Sequence, residues 1–417
     1  MYQGRLAAAA AFWRTKYLAW RLSSPARLRA WQQRQLSRFL ARDLAAVDFY
    51  KDRARHRLSD LPLMDKATLM ANFARLNRPG ITAQEVRAAL EGGGEHVRGY
   101  VVGQSTGTSG NRGLFVISEA ERFAWLGTIL AKALPDVLWA RHRLALIMPA
   151  YGQLYRAAAR AGRLTLRFFD LKAGVDAWLD ELCAYAPDII VAPPKVLRAV
   201  AERTSLTPRQ VFSGAELLDD LDRAVIEARF GTVVREIYMA TEGLFGVACA
   251  QGTLHLAEDV AVFEYEAQPG SDLVTPIITS FTRQTQIMAR YRMNDLLRLR
   301  PTPCPCGSPF QAVAAVVGRQ DDVFMLGAVM VTPDVLRNAV VDADRQIEDF
   351  RITQTGPMAI TVSLPASLPP GAGQAALASL HAALGRLGVE GVALALDSDM
   401  SVPFDKKLRR VRRAFTP

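Results

Sequence analysis

The sequence predicts an α/β protein with a large N-terminal domain, residues 1–318, and a small C-terminal one, residues 319–417. Three observations carry this. Residues 119–238 alternate short apolar runs with helix-length stretches, the pattern of a parallel sheet covered on both faces. Residues 254–300 hold strand-like runs and turn signals without a helix, which points to a more antiparallel, barrel-like region. Past Gly318 the two patterns mix again over a length that suits a small α/β domain. At 417 residues, half of them hydrophobic, the chain is long for a single core.

Residues 1–56 read as a basic helical segment in which Leu36, Phe39, Leu40 and Leu44 form a packing stripe. The surrounding basic and aromatic residues leave room for a peripheral membrane contact. The Ala run at 7–11 is short and broken by basic and aromatic residues, so an amphipathic helix is expected there rather than a signal peptide. Ser59 or Asp60 is placed to cap one turn, and Asp65 a helix over 66–76. Helices are expected over 119–134, 176–185, 195–204 and 216–229, and strands over 144–148, 164–171, 189–191, 210–212 and 233–238. Ligands of such a sheet bind beyond the carboxyl ends of its strands, where residues 213–216 and 239–243 fall. In the C-terminal part a strand pair over 350–364 turns at Gly356-Pro357, then a helix covers 373–387 and a strand 392–396.

The formal charge is +10, with the excess largely at the two ends. It suits an anionic partner or a solvated arginine-rich surface. Four cysteines are too few for a disulfide scaffold and fit a reducing, cytoplasmic setting. No stretch is long enough to span a bilayer, and no nucleic-acid motif is present.

One loop stands out. Ser105, Thr106, Gly107, Thr108, Ser109 and Gly110 lie between the apolar runs 101–102 and 114–117. Glycines let backbone N–H groups turn inward as an anion nest, and the hydroxyls add donors. The same composition also makes an ordinary polar turn. No lysine follows Gly110, so it is not the helix-opening phosphate loop.

Five further pieces follow in order: Ser213-Gly214-Ala215-Glu216, residues 238–242 ending in Thr241-Glu242, Tyr291-Arg292-Met293-Asn294-Asp295, Gly318-Arg319, and Lys406-Lys407-Leu408-Arg409-Arg410. With the 49–69 stretch and Cys304-Pro305-Cys306-Gly307, the set resembles the adenylate-forming superfamily, most closely its phenylacetate–coenzyme A ligase branch. The resemblance runs through nearly the whole chain and implies a large adenylate-forming domain with a small mobile lid. The lid would turn near Asp321. It also implies that ATP and a carboxylic acid give an acyl-adenylate and pyrophosphate, and that a thiol, usually coenzyme A, then takes the acyl group. A carrier-protein phosphopantetheine or an amine is the alternative acceptor, and a non-catalytic nucleotide-binding scaffold the alternative to an enzyme. The sequence leaves the oligomeric state open.

By resemblance, the Ser105–Gly110 loop holds the β- and γ-phosphates, Thr241 the α-phosphate and Glu242 a Mg²⁺ ion. Asp295 and Arg319 take the ribose hydroxyls, Gly214, Ala215 and Glu216 lie beside adenine, and Tyr238 stacks on it. Lys407, or Lys406, bridges the acyl carboxylate and the α-phosphate. An aromatic acid is expected first and a fatty acid second, in a pocket near residues 149–152 with Tyr151, Tyr155 and Met239 as lining. Arg112, Met239 and Met293-Asn294 depart from the family pattern, where proline, glycine and threonine-glycine are usual. Cys249, His255, Cys304 and Cys306 match a structural Zn²⁺ donor set, although Cys-x-Cys is tighter than the usual spacing. Two buried cysteines and a surface histidine would look the same in sequence.

Overall fold

A computed structural model describes residues 2–53, 57–105, 113–149, 163–400 and 407–415. The chain opens with α1 (Tyr2–Arg21) and α2 (Pro25–Arg38). Ser24 caps α2 by accepting the Arg27 N–H, and Pro25 sits in the first turn, where no N–H is needed. Phe39 and Leu44 beyond it are buried and Leu36 and Leu40 packed against the same core, so the apolar stripe is a packing face. Helix α3 (Lys66–Ala71) is capped by Asp65, as expected, but ends early. Asn72 leaves helical geometry at φ −115°, ψ 22°, its side chain donating to the Thr68 carbonyl, and a 3₁₀ turn covers Phe73–Leu76. Helix α4 (Ala83–Glu91) follows, closed at its start by a Thr82–Glu85 capping box.

Strands β1 (His96–Val97), β2 (Tyr100–Gln104) and β3 (Leu114–Ile117) form a small antiparallel sheet. The Ser/Thr/Gly loop joins β2 to β3, as expected; its residues 106–112 lie outside the described ones. Helix α5 (Glu119–Ala133) then leads into the central sheet. Strands β4 (His142–Met148), β5 (Leu164–Asp170), β6 (Ile189–Ala192), β7 (Gln210–Gly214) and β8 (Val234–Ala240) pair in parallel in the order β5-β4-β6-β7-β8. Helices α6 (Leu179–Tyr185), α7 (Pro194–Arg203) and α8 (Asp220–Phe230) connect them.

Two of these helices are shorter than the periodicity suggests. Before α6, Trp178 breaks the helix at φ −135°, ψ 1°, held by its indole N–H on the Asp170 carbonyl. Helix α8 begins at Asp220 because Asp219 caps it, while Ala215 takes a left-handed φ of 69° that turns the chain out of β7.

From β8 the sheet changes character without a break. Strands β9 (Gly243–Ala248), β10 (Leu254–Leu256), β11 (Ala261–Ala267), β12 (Leu273–Ser280), β13 (Tyr291–Arg292), β14 (Asp295–Leu299) and β15 (Ala312–Arg319) continue it antiparallel. The order runs β8-β9-β10-β15-β14-β12-β11, with β13 on β12, so the strand-rich region extends the parallel half.

Past β15 come the hairpin β16 (Phe324–Leu326) and β17 (Val329–Val331) and helix α9 (Pro333–Val341). Strands β18 (Arg351–Gly356) and β19 (Ala359–Ser363), helix α10 (Pro370–Arg386), and strands β20 (Ala393–Asp397) and β21 (Val411–Arg413) follow. The last four strands make one sheet, β20-β19-β18-β21, over a separate core with Leu336, Phe350, Ile352 and Leu380 at its centre. Gly318 is where this part meets the sheet: a Cβ there would stand 2.9 Å from the Pro333 ring.

Candidate active site

The described motif residues gather where the parallel half of the sheet turns antiparallel. Thr241 and Glu242 form a two-residue turn between β8 and β9, in which Ala240 pairs with Gly243. The Thr241 hydroxyl donates to Glu242 Oε2 at 2.8 Å and the Tyr291 hydroxyl to Oε1 at 2.9 Å, so both carboxylate oxygens are oriented. Burial, then the charge of Glu242, raises the Tyr291 pKa and keeps it a donor.

Asp295 opens β14 directly opposite Arg319, which ends β15; the ladder register brings two residues 24 apart in sequence side by side. The Tyr238 hydroxyl donates to Asp295 Oδ2 at 2.8 Å, and its ring lies 5.7 Å from that of Phe245. Burial raises the Asp295 pKa, opposed by the Tyr238 hydrogen bond and the charge of Arg319. Ser105 closes the mouth of the Ser/Thr/Gly loop: its N–H donates to the Gly113 carbonyl at 2.7 Å, and its hydroxyl accepts the Gly113 N–H at 2.9 Å.

Gly214 ends β7, and the turn at Ala215 sends the Glu216 side chain inward, where it is buried and faces Lys195 at 3.7 Å. Glu216 also accepts the backbone N–H of Leu408. It therefore holds the C-terminal lysine segment as well as lying beside the cavity. Lys407 is ringed by protein while its surface faces the cavity; this enclosure lowers its pKa, with Glu216 pulling the other way. Lys406 lies outside the described residues, as do Tyr151 and Tyr155. Asp321 accepts the Asn294 side-chain amide at 2.5 Å.

Ser105, Gly214, Ala215, Glu216, Tyr238, Thr241, Glu242, Asp295, Arg319 and Lys407 all line one cavity of about 2180 Å³. Small-molecule pockets run to roughly 1,000 Å³, so this one has room for more than one ligand. Its wall carries buried polar atoms without a protein partner, Ser213 Oγ and Glu216 Oε2, which suits a polar guest. One arm, between α5 and the sheet, is apolar: Trp125, Ile129 and Leu130 face Met148, Val191 and Met239.

Sequence reasoning missed Arg283. It is buried in the same wall, donates from Nη2 to the Thr241 carbonyl at 2.8 Å, and has no partner for Nε. It lies on the loop after β12, 42 residues from Thr241, and no local pattern marks it. The sequence reading gave Arg410 no role beyond closing the Lys406–Arg410 piece. In the structure it forks onto the buried Asp222 at 2.5 and 2.9 Å and reaches Asp349, fixing the segment that carries Lys407.

Away from the cavity, the four predicted metal-ligating residues do meet. Cys249, His255, Cys304 and Cys306 present ligand atoms that all lie within 4.8 Å of one another. His255 Nδ1–H donates to the Phe310 carbonyl at 3.0 Å, which leaves Nε2 facing Cys306 Sγ at 3.3 Å. Three thiols and one imidazole nitrogen are the donor set of a closed tetrahedral zinc site.

The fold has known counterparts. A 2-hydroxyisobutyryl-CoA ligase, solved in the postadenylation state with R3-HIB-AMP, superposes with a TM-score of 0.64 over 94% of this chain and 90% of that one, at 19% identity. The fold is that of the adenylate-forming ligases. Curated relatives match part of the chain. A phenylacetate–coenzyme A ligase of Pseudomonas putida is 26% identical over 188 residues, 40% of this chain and 42% of that protein. One from Aromatoleum evansii is 26% identical over 171 residues, 36% and 38% of the two. The chain thus matches about two fifths of the length of these relatives. No family model matches it.

Proposed function

We propose that the chain activates a carboxylic acid with ATP and passes the acyl group to a thiol, most simply that of coenzyme A. The observation that carries this reading is the single cavity joining Ser105, Thr241, Glu242, Asp295, Arg319 and Lys407. A carboxylate oxygen attacks the α-phosphorus, the bond to the bridging oxygen breaks, and pyrophosphate leaves. Asp295 accepts the ribose hydroxyls with Arg319 beside it. Thr241 and Arg283 face the phosphates, and the Ser105 loop receives the pyrophosphate end. Lys407 donates to the acyl carboxylate and the α-phosphate, neutralising charge as it gathers. Glu242 would hold Mg²⁺ through its oriented oxygens; when bound, that ion neutralises phosphate charge. The Cys249/His255/Cys304/Cys306 set would hold a structural zinc ion, pinning the β9–β10 turn to the loop before β15.

The apolar arm supports an acid with a large apolar part, aromatic or alkyl. Residues 319–417 would act as a lid turning near Asp321, released when Arg410–Asp222 and Arg337–Asp219 part. The test is acid-dependent ATP–pyrophosphate exchange over aromatic and aliphatic acids, followed by acyl transfer to coenzyme A, a carrier protein or an amine. Exchange with one class, lost in Glu242→Ala, is expected. Tight nucleotide binding with no exchange on any acid would point instead to a nucleotide-binding scaffold.

A further inference from the structure

Helix α1 has two opposite faces. Phe12, Leu18 and Leu22 are buried, and the helix lies so close to α5 that a Cβ on Gly127 would meet the Ala8 carbonyl oxygen at 2.0 Å. On the far side Leu6, Trp13, Tyr17 and Trp20 are 55, 56, 51 and 74% exposed. At 100° per residue these four fall within an arc of about 60°. They are one continuous stripe, and it points directly away from the buried face. Arg5 and Lys16 flank one edge of it, Arg14 and Arg21 the other. Lys16 also lies 5.9 Å from the Trp139 ring, and Leu138 and Trp139, each 51% exposed, widen the apolar surface.

The charge around the stripe is one-signed. Residues 1–42 contain nine basic residues and no acid, against a net +10 for the whole chain. Among the described residues, Arg5, Arg14, Lys16 and Arg21 form no ion pair. Asp136, three residues before Trp139, is engaged by His142 at 3.1 Å.

We infer that this face of α1 docks on a bilayer surface carrying anionic headgroups. A Trp/Tyr/Leu stripe enters the boundary between headgroups and acyl chains, where amphipathic rings are favoured. The flanking cations then lie at the depth of the phosphates, each strengthening binding about fivefold. A nucleic acid would need cations along the middle of the face, where this helix puts its aromatics. The inference does not depend on the reaction assigned to the cavity.

The test uses the full chain with phosphatidylcholine vesicles, with and without phosphatidylglycerol. Co-sedimentation with the anionic vesicles only, weakened by salt and accompanied by a blue shift of tryptophan emission, is expected. Trp13→Ser with Trp20→Ser should weaken it about tenfold or more. Arg5→Gln, Lys16→Gln and Arg21→Gln together should weaken it further while leaving the circular dichroism and ATP–pyrophosphate exchange of the chain intact. Absence of binding to anionic vesicles at low salt would overturn the inference. So would a stable dimer in solution that the double tryptophan variant dissociates, or binding to duplex DNA in place of vesicles.

Discussion

Arg283 shows what a single buried side chain can add to a site built from recognisable motifs. Its charge is enclosed by protein beside Glu121 and Glu242, and it holds the carbonyl of Thr241 while keeping Nε unspent. Arg283→Ala is expected to lower ATP–pyrophosphate exchange by about 10²–10³, the usual loss for a pre-organised donor, with Arg283→Lys recovering part of it. Lys407 yields a second prediction. Enclosure lowers its pKa, so it loses its proton at a lower pH than the ordinary lysine value of about 10.4. In the proposed reaction the cation is the working form. Adenylation should therefore fall as pH rises through that lowered pKa, and Lys407→Arg, which stays charged, should move this alkaline limb upward. A pH profile of kcat/KM reads both. Lys407 and Glu242 were legible in the sequence because each lies in a recognisable string. Arg283 was not, because only the path of the sheet carries it to Thr241.

At the scale of elements, legibility followed the strands. Apolar runs placed β4 to β8 closely, since the strands buried within the sheet, β4, β6 and β7, leave a period-free hydrophobic signal that turn residues delimit. Helix starts were harder, as α6 and α8 show: the capping residue and one left-handed alanine decide them, and hydrophobic period does not see either. The candidate metal set was legible as three cysteines and one histidine, while its convergence needed the antiparallel pairing of β9, β10 and β15. Cys304→Ser should lower both zinc content and melting temperature, checked by metal analysis and thermal unfolding of the same preparation. Fresh wild-type protein without zinc would sink the assignment.

For the whole molecule, the join between the last core and the sheet rests on charge. Arg410 and Arg198 share the buried Asp222, and Arg337 forks onto Asp219 at 2.8 and 2.9 Å. Arg410→Ala strands part of that buried charge and is expected to cost roughly 3–5 kcal/mol, read by urea unfolding, with exchange falling because Lys407 loses its anchor. Which arginine meets which aspartate was not legible, since the partners lie up to 188 residues apart. The turn between β8 and β9 carries a different consequence. Thr241 and Glu242 are its whole length, and the strands on either side belong to opposite halves of one sheet. A one-residue insertion there would reverse which side chain looks into the cavity, because successive residues of a strand face opposite ways. The spacing of this turn is therefore a reading frame: related chains can change the residues around it freely, but should neither lengthen nor shorten it.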